Sequence, residues 1–204
     1  MLMKEEDVKI AKGAIIELKD RTGAGIMDCK NVLVECNGDI DKAVELLRKK
    51  GIATSEKKRE RKTDEGIVEA YIHPGARLGV LVEIACESDF VARTPEFKTL
   101  ARDIAMQIAA SNPTWIDKKD VPDEVTENEK TIYECQAKES GKPEKIIPKI
   151  VEGKIENFYK ETCLLEQAFI KNLDISVEDL IKEHIAKFGE NIRVTRFARF
   201  KVGG

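Results

Sequence analysis

No stretch of this sequence approaches the roughly 18 to 20 consecutive apolar residues that a membrane-spanning helix needs. The opening Met-Leu-Met-Lys-Glu-Glu-Asp carries no signal-peptide hydrophobic region, so no membrane partner and a cytoplasmic location are the expectation. A basic excess is missing too. Lys and Arg number 35 against 38 Asp and Glu, a net charge of -3, which argues against a dedicated nucleic-acid binder. Histidine occurs only twice, as His73 and His184, far apart and without a convincing nucleophile beside either, which argues against hydrolase chemistry. The five cysteines, at 29, 36, 86, 135 and 163, are odd in number and widely spaced, which speaks against a disulfide framework and predicts buried thiols. Cys29 and Cys36 share a helix face, but with no histidine before His73 no metal site is expected.

What is present is a chain of 204 residues with 42% apolar and 36% charged residues, enough for one or two domains with a real core. The organising stretch is Val80-Leu-Val-Glu-Ile-Ala-Cys-Glu-Ser-Asp-Phe-Val-Ala-Arg-Thr-Pro-Glu-Phe97. Leu78, Val80, Val82, Ile84 and Cys86 alternate as a strand does. Thr94 is a helix cap, Pro95 suits a first turn, and Glu96 suits the positive helix end. Between the strand and the helix lies an exposed link, Glu87 to Arg93, too polar for a strand and too apolar for a plain loop. Two readings of Phe90 and Val91 stand: core residues dipping under the loop, or a probe offered to a partner.

This link resembles the Thr-Asp-Phe-Val-Ala-Arg/Lys motif of the elongation factor Ts family, with Ser88 in the Thr position. Arg21-Thr-Gly-Ala-Gly-Ile-Met-Asp-Cys-Lys30 resembles that family's N-terminal signature, and Cys163-Leu-Leu-Glu-Gln-Ala-Phe169 and Gly189-Glu-Asn-Ile-Arg-Val-Thr-Arg-Phe extend the match in family order over nearly the whole chain. The resemblance implies a guanine-nucleotide exchange factor that binds elongation factor Tu in its GDP-bound and nucleotide-free states, with no covalent catalysis, no cofactor and no direct nucleic-acid contact. It assigns Ser88, Asp89, Phe90 and Val91 to disturbing the partner's magnesium and phosphate site. It assigns Arg21, Gly23, Gly25, Ile26 and Met27 to gripping the G domain. A thiol hydrolase lacks a recognisable Cys, His and carboxylate constellation. An RNA-binding or other interaction module is the alternative, centred on the basic run Lys57-Lys-Arg-Glu-Arg-Lys62, but no aromatics interleave that run.

The fold class expected is α+β. Residues 1–52 read as three short helices resembling a ubiquitin-associated-type module, 53–66 as a charged, solvated tether, and 67–204 as a core with a three-stranded antiparallel sheet covered by helices. In the module, Val8, Ala11, Ile15 and Leu18 form the first stripe, with Gly23 following. Ile26 to Cys36 forms the second helix, stopped by Asn37-Gly38, and Asp39 caps a third that Gly51 ends. Thr22-Gly23-Ala24-Gly25 lacks the Gly-Lys-Ser/Thr ending of a phosphate loop and follows no predicted strand. Of Ile26 and Met27, one is expected in the core and the other exposed as a soft apolar contact.

In the core, 67–73, 78–86 and 191–202 read as strands, with His73-Pro-Gly-Ala-Arg77 as a hairpin turn. Phe97, Leu100, Ala101, Ile104, Ala105 and Ile108 form one helical stripe ended by Ser111-Asn112-Pro113. Residues 114 to 162 read as a polar helical excursion broken at Pro122, Gly141, Pro143, Pro148 and Gly153. Ser176 and Asp179 form a capping box for a last helix closed by Gly189. Arg196 and Phe197 break the alternation of the last strand. One helical stripe covers one sheet face, leaving Tyr71, Leu81, Ala85 and Phe197 on the other, which suggests a partner surface. The chain shows one core half, and the resemblance to short members of the family that pair as two-fold dimers implies a homodimer through that face.

Overall fold

The computed structural model describes residues 11–203, with the side chains of 52, 54 and 56 left aside. Val8 lies outside the described residues. The chain divides into two units, one running through Lys62 and taking in Ile181–Ile192, the other comprising Thr63–Leu180 and the chain from Arg193 onward.

The first unit begins with α1 (Lys12–Thr22), α2 (Ile26–Glu35) and α3 (Ile40–Lys58). Gly23 ends α1 at φ 67°, its N–H donating to the Lys19 carbonyl at 2.7 Å, a left-handed position that suits glycine. Asn37 and Gly38 turn the chain with positive φ, and the Asp39 carboxylate accepts from the Lys42 N–H at 3.0 Å to cap α3. Leu18, Cys29, Val32, Leu33 and Ala43 make the small buried core, with Ile15, Cys36, Ile40, Val44 and Leu47 packed around it. Gly51 does not end the third helix. α3 runs through it to Lys58, and a Cβ at Gly51 would stand 3.1 Å from the Ala186 methyl, so the glycine permits close approach to another segment of the same unit.

The second unit is built on β1 (Glu65–Ile72), β2 (Leu78–Cys86) and β5 (Ile192–Lys201), in the order β1-β2-β5. β1 and β2 are antiparallel, with Ile67 opposite Ile84, Glu69 opposite Val82 and Tyr71 opposite Val80. At Gly66 a Cβ would collide with the Ile84 carbonyl oxygen, so only glycine fits that pairing. α5 (Pro95–Ser111) lays the predicted stripe on the face formed by Val80, Val82, Ile84 and Cys86. Asn112, left-handed at φ 49°, ends it. The fold class is therefore α+β, with the three-stranded sheet as its centre.

Several expectations are corrected. Tyr71 belongs to the covered face, because it stands opposite buried Val80 and lies under the Arg102 guanidinium of α5. The open face carries Leu81 as expected, and in place of Tyr71 it carries Val68, Ala70 and Ile72, with Ala70 opposite Leu81. In β5 the alternation changes phase at Thr195 and Arg196, both exposed. Arg196 bonds Glu83 of the open face, whereas Arg199 donates to the Ala109 carbonyl of α5. Half-buried Phe197, two residues before Arg199, therefore turns toward the helix, and Phe200 toward the open face.

The excursion forms α6 (Asp123–Glu139) packed on α7 (Ile147–Thr162). Pro148 starts α7 rather than breaking it, since a first-turn proline loses no hydrogen bond. Gly153 is no break either and sits inside α7 with open space around it. A short hairpin, β3 (Ala168–Phe169) and β4 (Asn172–Ser176), has no counterpart in the sequence reading. Buried Gln107 of α5 holds it, donating to the Ala168 carbonyl at 3.2 Å and accepting from the Ile170 N–H at 2.8 Å. Ser176 and Asp179 form the expected reciprocal cap for α8 (Val177–Phe188). Cys135 is exposed, not buried as expected, because it lies on the outward side of α6. Among the described residues no helix is long and apolar enough to cross a membrane, and no cluster of three His, Cys, Asp or Glu could hold a metal.

Candidate partner-binding site

The link after β2 is not irregular chain. It forms a single helical turn, α4 (Asp89–Ala92), with Ser88 as its extended N-cap. The Ser88 hydroxyl accepts from the Val91 N–H at 3.4 Å, satisfying a donor that a free turn would leave to water. On the far side, the Thr94 hydroxyl donates to the Val91 carbonyl at 2.8 Å and accepts from the Phe97 N–H at 3.2 Å, so one side chain closes α4 and opens α5. Cys86 donates its thiol hydrogen to the Ser88 carbonyl at 3.2 Å, tying the turn to the end of β2.

Within this clamped turn the four residues present different surfaces. Val91 and Ala92 are buried and α4 packs on β1, β2 and α5, so they anchor the turn. Phe90 is 81% exposed, an unusual position for a ring on a rigid turn. Asp89 pairs with Arg93 one turn along at 2.8 Å. Ser88 contributes the cap rather than a projecting contact. Arg93 enters the arrangement as a partner of Asp89, a role legible in the i, i+4 spacing only once the link is known to be helical.

The second candidate stretch lies in the three-helix unit. Ile26 and Met27 are 57% and 63% exposed, so both project from the first turn of α2. The expectation that one is core is corrected: Cys29, Val32 and Leu33 fill the inward face of α2, while Met27 lies off it and Ile26, on the side of Leu33 seven residues on, stays exposed at the helix's first turn. Val34, seven residues beyond Met27, is also exposed and continues the Met27 face, a helical repeat the sequence already carried. Arg21 is turned aside to Asp41 at 3.0 Å and Glu17 at 4.0 Å. Gly23 serves the left-handed cap, and Gly25 is the extended N-cap of α2, where a Cβ would stand 3.1 Å from the Asp28 carboxylate. Arg21, Gly23 and Gly25 thus shape the turn that exposes Ile26 and Met27.

A third surface is the open sheet face. Ile72, Leu81, Phe200 and Val202, all exposed, line a shallow groove of about 460 Å³. The thiols of Cys29 and Cys163 are buried, and burial raises the pKa of each.

A sequence model described as Elongation factor TS matches residues 30–204, a span that includes Ser88 to Val91 and begins just beyond Met27. A protein named Elongation factor Ts from Syntrophomonas wolfei is 62% identical over 187 residues, covering 92% of this chain and 87% of that protein. Proteins of the same name from Carboxydothermus hydrogenoformans and Caldanaerobacter subterraneus are 58% and 57% identical over 194 residues, covering 95% of this chain and 89% and 97% of theirs.

Proposed function

This chain belongs to the elongation factor Ts family, and from that premise we propose that it is a guanine-nucleotide exchange factor acting on elongation factor Tu in the cytoplasm. Exchange needs no bond made or broken by the factor. It needs a surface that binds the nucleotide-free partner better than the nucleotide-bound one, so that binding shifts the equilibrium toward GDP release.

The observation that carries the reading is Phe90, 81% exposed on a turn whose next two residues are buried. A ring ordered in water without a partner exposes apolar area at a cost, and the clamp formed by Ser88, Thr94 and Val91 keeps it presented. In this reading Asp89 and Phe90 enter the partner near its magnesium and phosphate site, Ser88 and Val91 hold them there, and the entry favours the loosened, nucleotide-free state. Residues 1–52 grip the G domain through Ile26 and Met27, on the turn shaped by Arg21, Gly23 and Gly25. Residues 53–66 link that module to the core of 67–204, which engages another part of the same partner. The open sheet face, with Ile72, Leu81 and Phe200, pairs two copies into a homodimer.

The test is release of labelled GDP from loaded elongation factor Tu on mixing with the pure chain. Catalytic amounts should accelerate release by orders of magnitude over the spontaneous rate. No acceleration would overturn the reading.

A further inference from the structure

The basic stretch Lys57 to Lys62 reads from the sequence as a solvated tether, yet its backbone is tied down. α3 ends at Lys58, and the Arg61 N–H closes a turn on the Lys58 carbonyl at 2.9 Å. The Lys58 ammonium donates to the Gly189 carbonyl at 2.7 Å. Two residues further on, the Asn191 side-chain amide donates to the Arg59 carbonyl at 3.2 Å and to the Arg61 carbonyl at 2.8 Å. Asn191 is 1% exposed. A carboxamide nitrogen carries two hydrogens, and this one bridges two carbonyls of a segment that is distant in sequence. Aspartate has no hydrogen to give and alanine no polar atom, so neither can make the tie.

All of these residues lie within one unit of the fold. In sequence, however, the tied segment falls between the two stretches proposed to touch the partner, Ile26 with Met27 and Asp89 with Phe90. Two contacts joined by chain act together only so far as that chain keeps them in mutual reach, and slack dilutes the second contact. Resting on the exchange reading, we propose that Asn191 is a positioning residue for nucleotide exchange: by holding the Arg59 and Arg61 carbonyls it removes slack from the segment between the gripping module and the Phe90 probe. Capture through α2 does not depend on that slack, whereas entry of Phe90 after capture is an intramolecular step and does. The loss therefore falls on kcat for GDP release and spares KM for the GDP complex of elongation factor Tu.

The experiment uses the full chain and two variants, Asn191→Ala and an insertion of Gly-Ser-Gly-Ser between Lys62 and Thr63. The insertion falls beyond Arg59 and Arg61, the two residues whose carbonyls Asn191 holds, and adds slack there. Steady-state GDP release is measured well below the melting temperature, beside amide hydrogen exchange. Asn191→Ala should lower kcat about tenfold with KM held within about twofold, and the insertion should lower kcat about three- to tenfold in the same pattern. Amides from Arg59 to Lys62 should lose protection in Asn191→Ala while those of β1 and β2 keep theirs. A folded Asn191→Ala protein with undiminished kcat overturns the assignment, and so does an insertion variant that exchanges at the wild-type rate. If Asn191→Ala fails to fold, the insertion decides alone. A wild-type chain that releases no GDP overturns the exchange reading and this inference with it. An active wild type beside an equally active insertion variant overturns this inference only.

Discussion

Phe90 and Val91 are neighbours in the chain and opposites in exposure, at 81% and 8%. One residue step along a helix rotates the side-chain direction by about 100°, and the Ser88 and Thr94 bonds to the Val91 backbone lock the turn in place. The two residues therefore make opposite predictions. Phe90→Ala should lose catalysed GDP release by a factor on the order of 30 or more, from about 2 kcal/mol of interface energy at about 1.4 kcal/mol per tenfold. Its melting temperature should stay unchanged. Val91→Ala should cost about 1–3 kcal/mol of stability through lost burial and a small cavity, lowering the melting temperature by several degrees. Release assays beside thermal melts decide, and a melt that collapses only for Phe90→Ala would reverse the assignment.

The Asp89 and Arg93 pair is exposed on both sides, so its contribution to stability is about 0–1 kcal/mol and fades with salt. Arg93→Ala should keep both melting temperature and GDP release near wild type. Asp89→Ala should slow release more than Arg93→Ala but less than Phe90→Ala. Stopped-flow release with the three variants at equal concentration gives the order.

Ile26→Asp and Met27→Asp should each weaken binding to elongation factor Tu while leaving the circular-dichroism melt of the module in place, because both side chains already stand in water. Leu33→Ala, in the same helix but fully buried, should instead cost about 2–5 kcal/mol. Binding titrations set against melts separate the two classes, and destabilisation by both Asp variants would return this turn to the core.

Light scattering at tens of micromolar should give twice the 22.9 kDa chain mass if the open sheet face pairs two copies. Leu81→Asp or Phe200→Asp should bring the mass down to one chain without lowering exchange by the folded monomer in proportion. A wild-type monomer would remove the dimer.

Burial raises the Cys29 thiol above its ordinary pKa of 9.0, with the Asp28 carboxylate adding to the shift. The folded state then holds this proton more tightly than the unfolded chain does. The resulting stability is complete below pH 9 and is lost as pH rises from there through the folded-state pKa. Denaturant melts of the reduced protein between pH 8 and pH 10.5 should show a decline that Cys29→Ala flattens, after allowance for its lower starting stability.

Local signals in the sequence were sufficient wherever the structure is held by near neighbours. Gly23, Asp39, Thr94 and the Ser176 and Asp179 pair each act on backbone groups within four residues, so the helix ends they predict are where the structure has them. The alternation of β2 and the stripe of α5 likewise needed only their own periods, and the family signature lay in the same local stretches. Other features were decided at a distance. Gly51 looks like a stop, but α3 continues because the missing Cβ admits Ala186, a residue far along the chain. Tyr71 changes face because cross-strand pairing with Val80 sets its side, and period alone does not say which side a helix covers. The β3 and β4 hairpin is too short to show a period and depends on the buried amide of Gln107. Val91 and Phe90 are similar apolar residues in an apolar-polar link, and only the packing of α4 on β1, β2 and α5 selects which is buried and which is exposed. Hydrogen bonds within a turn are written in adjacent residues. The side a residue faces is fixed by what packs against it, and that partner is brought there only by the fold.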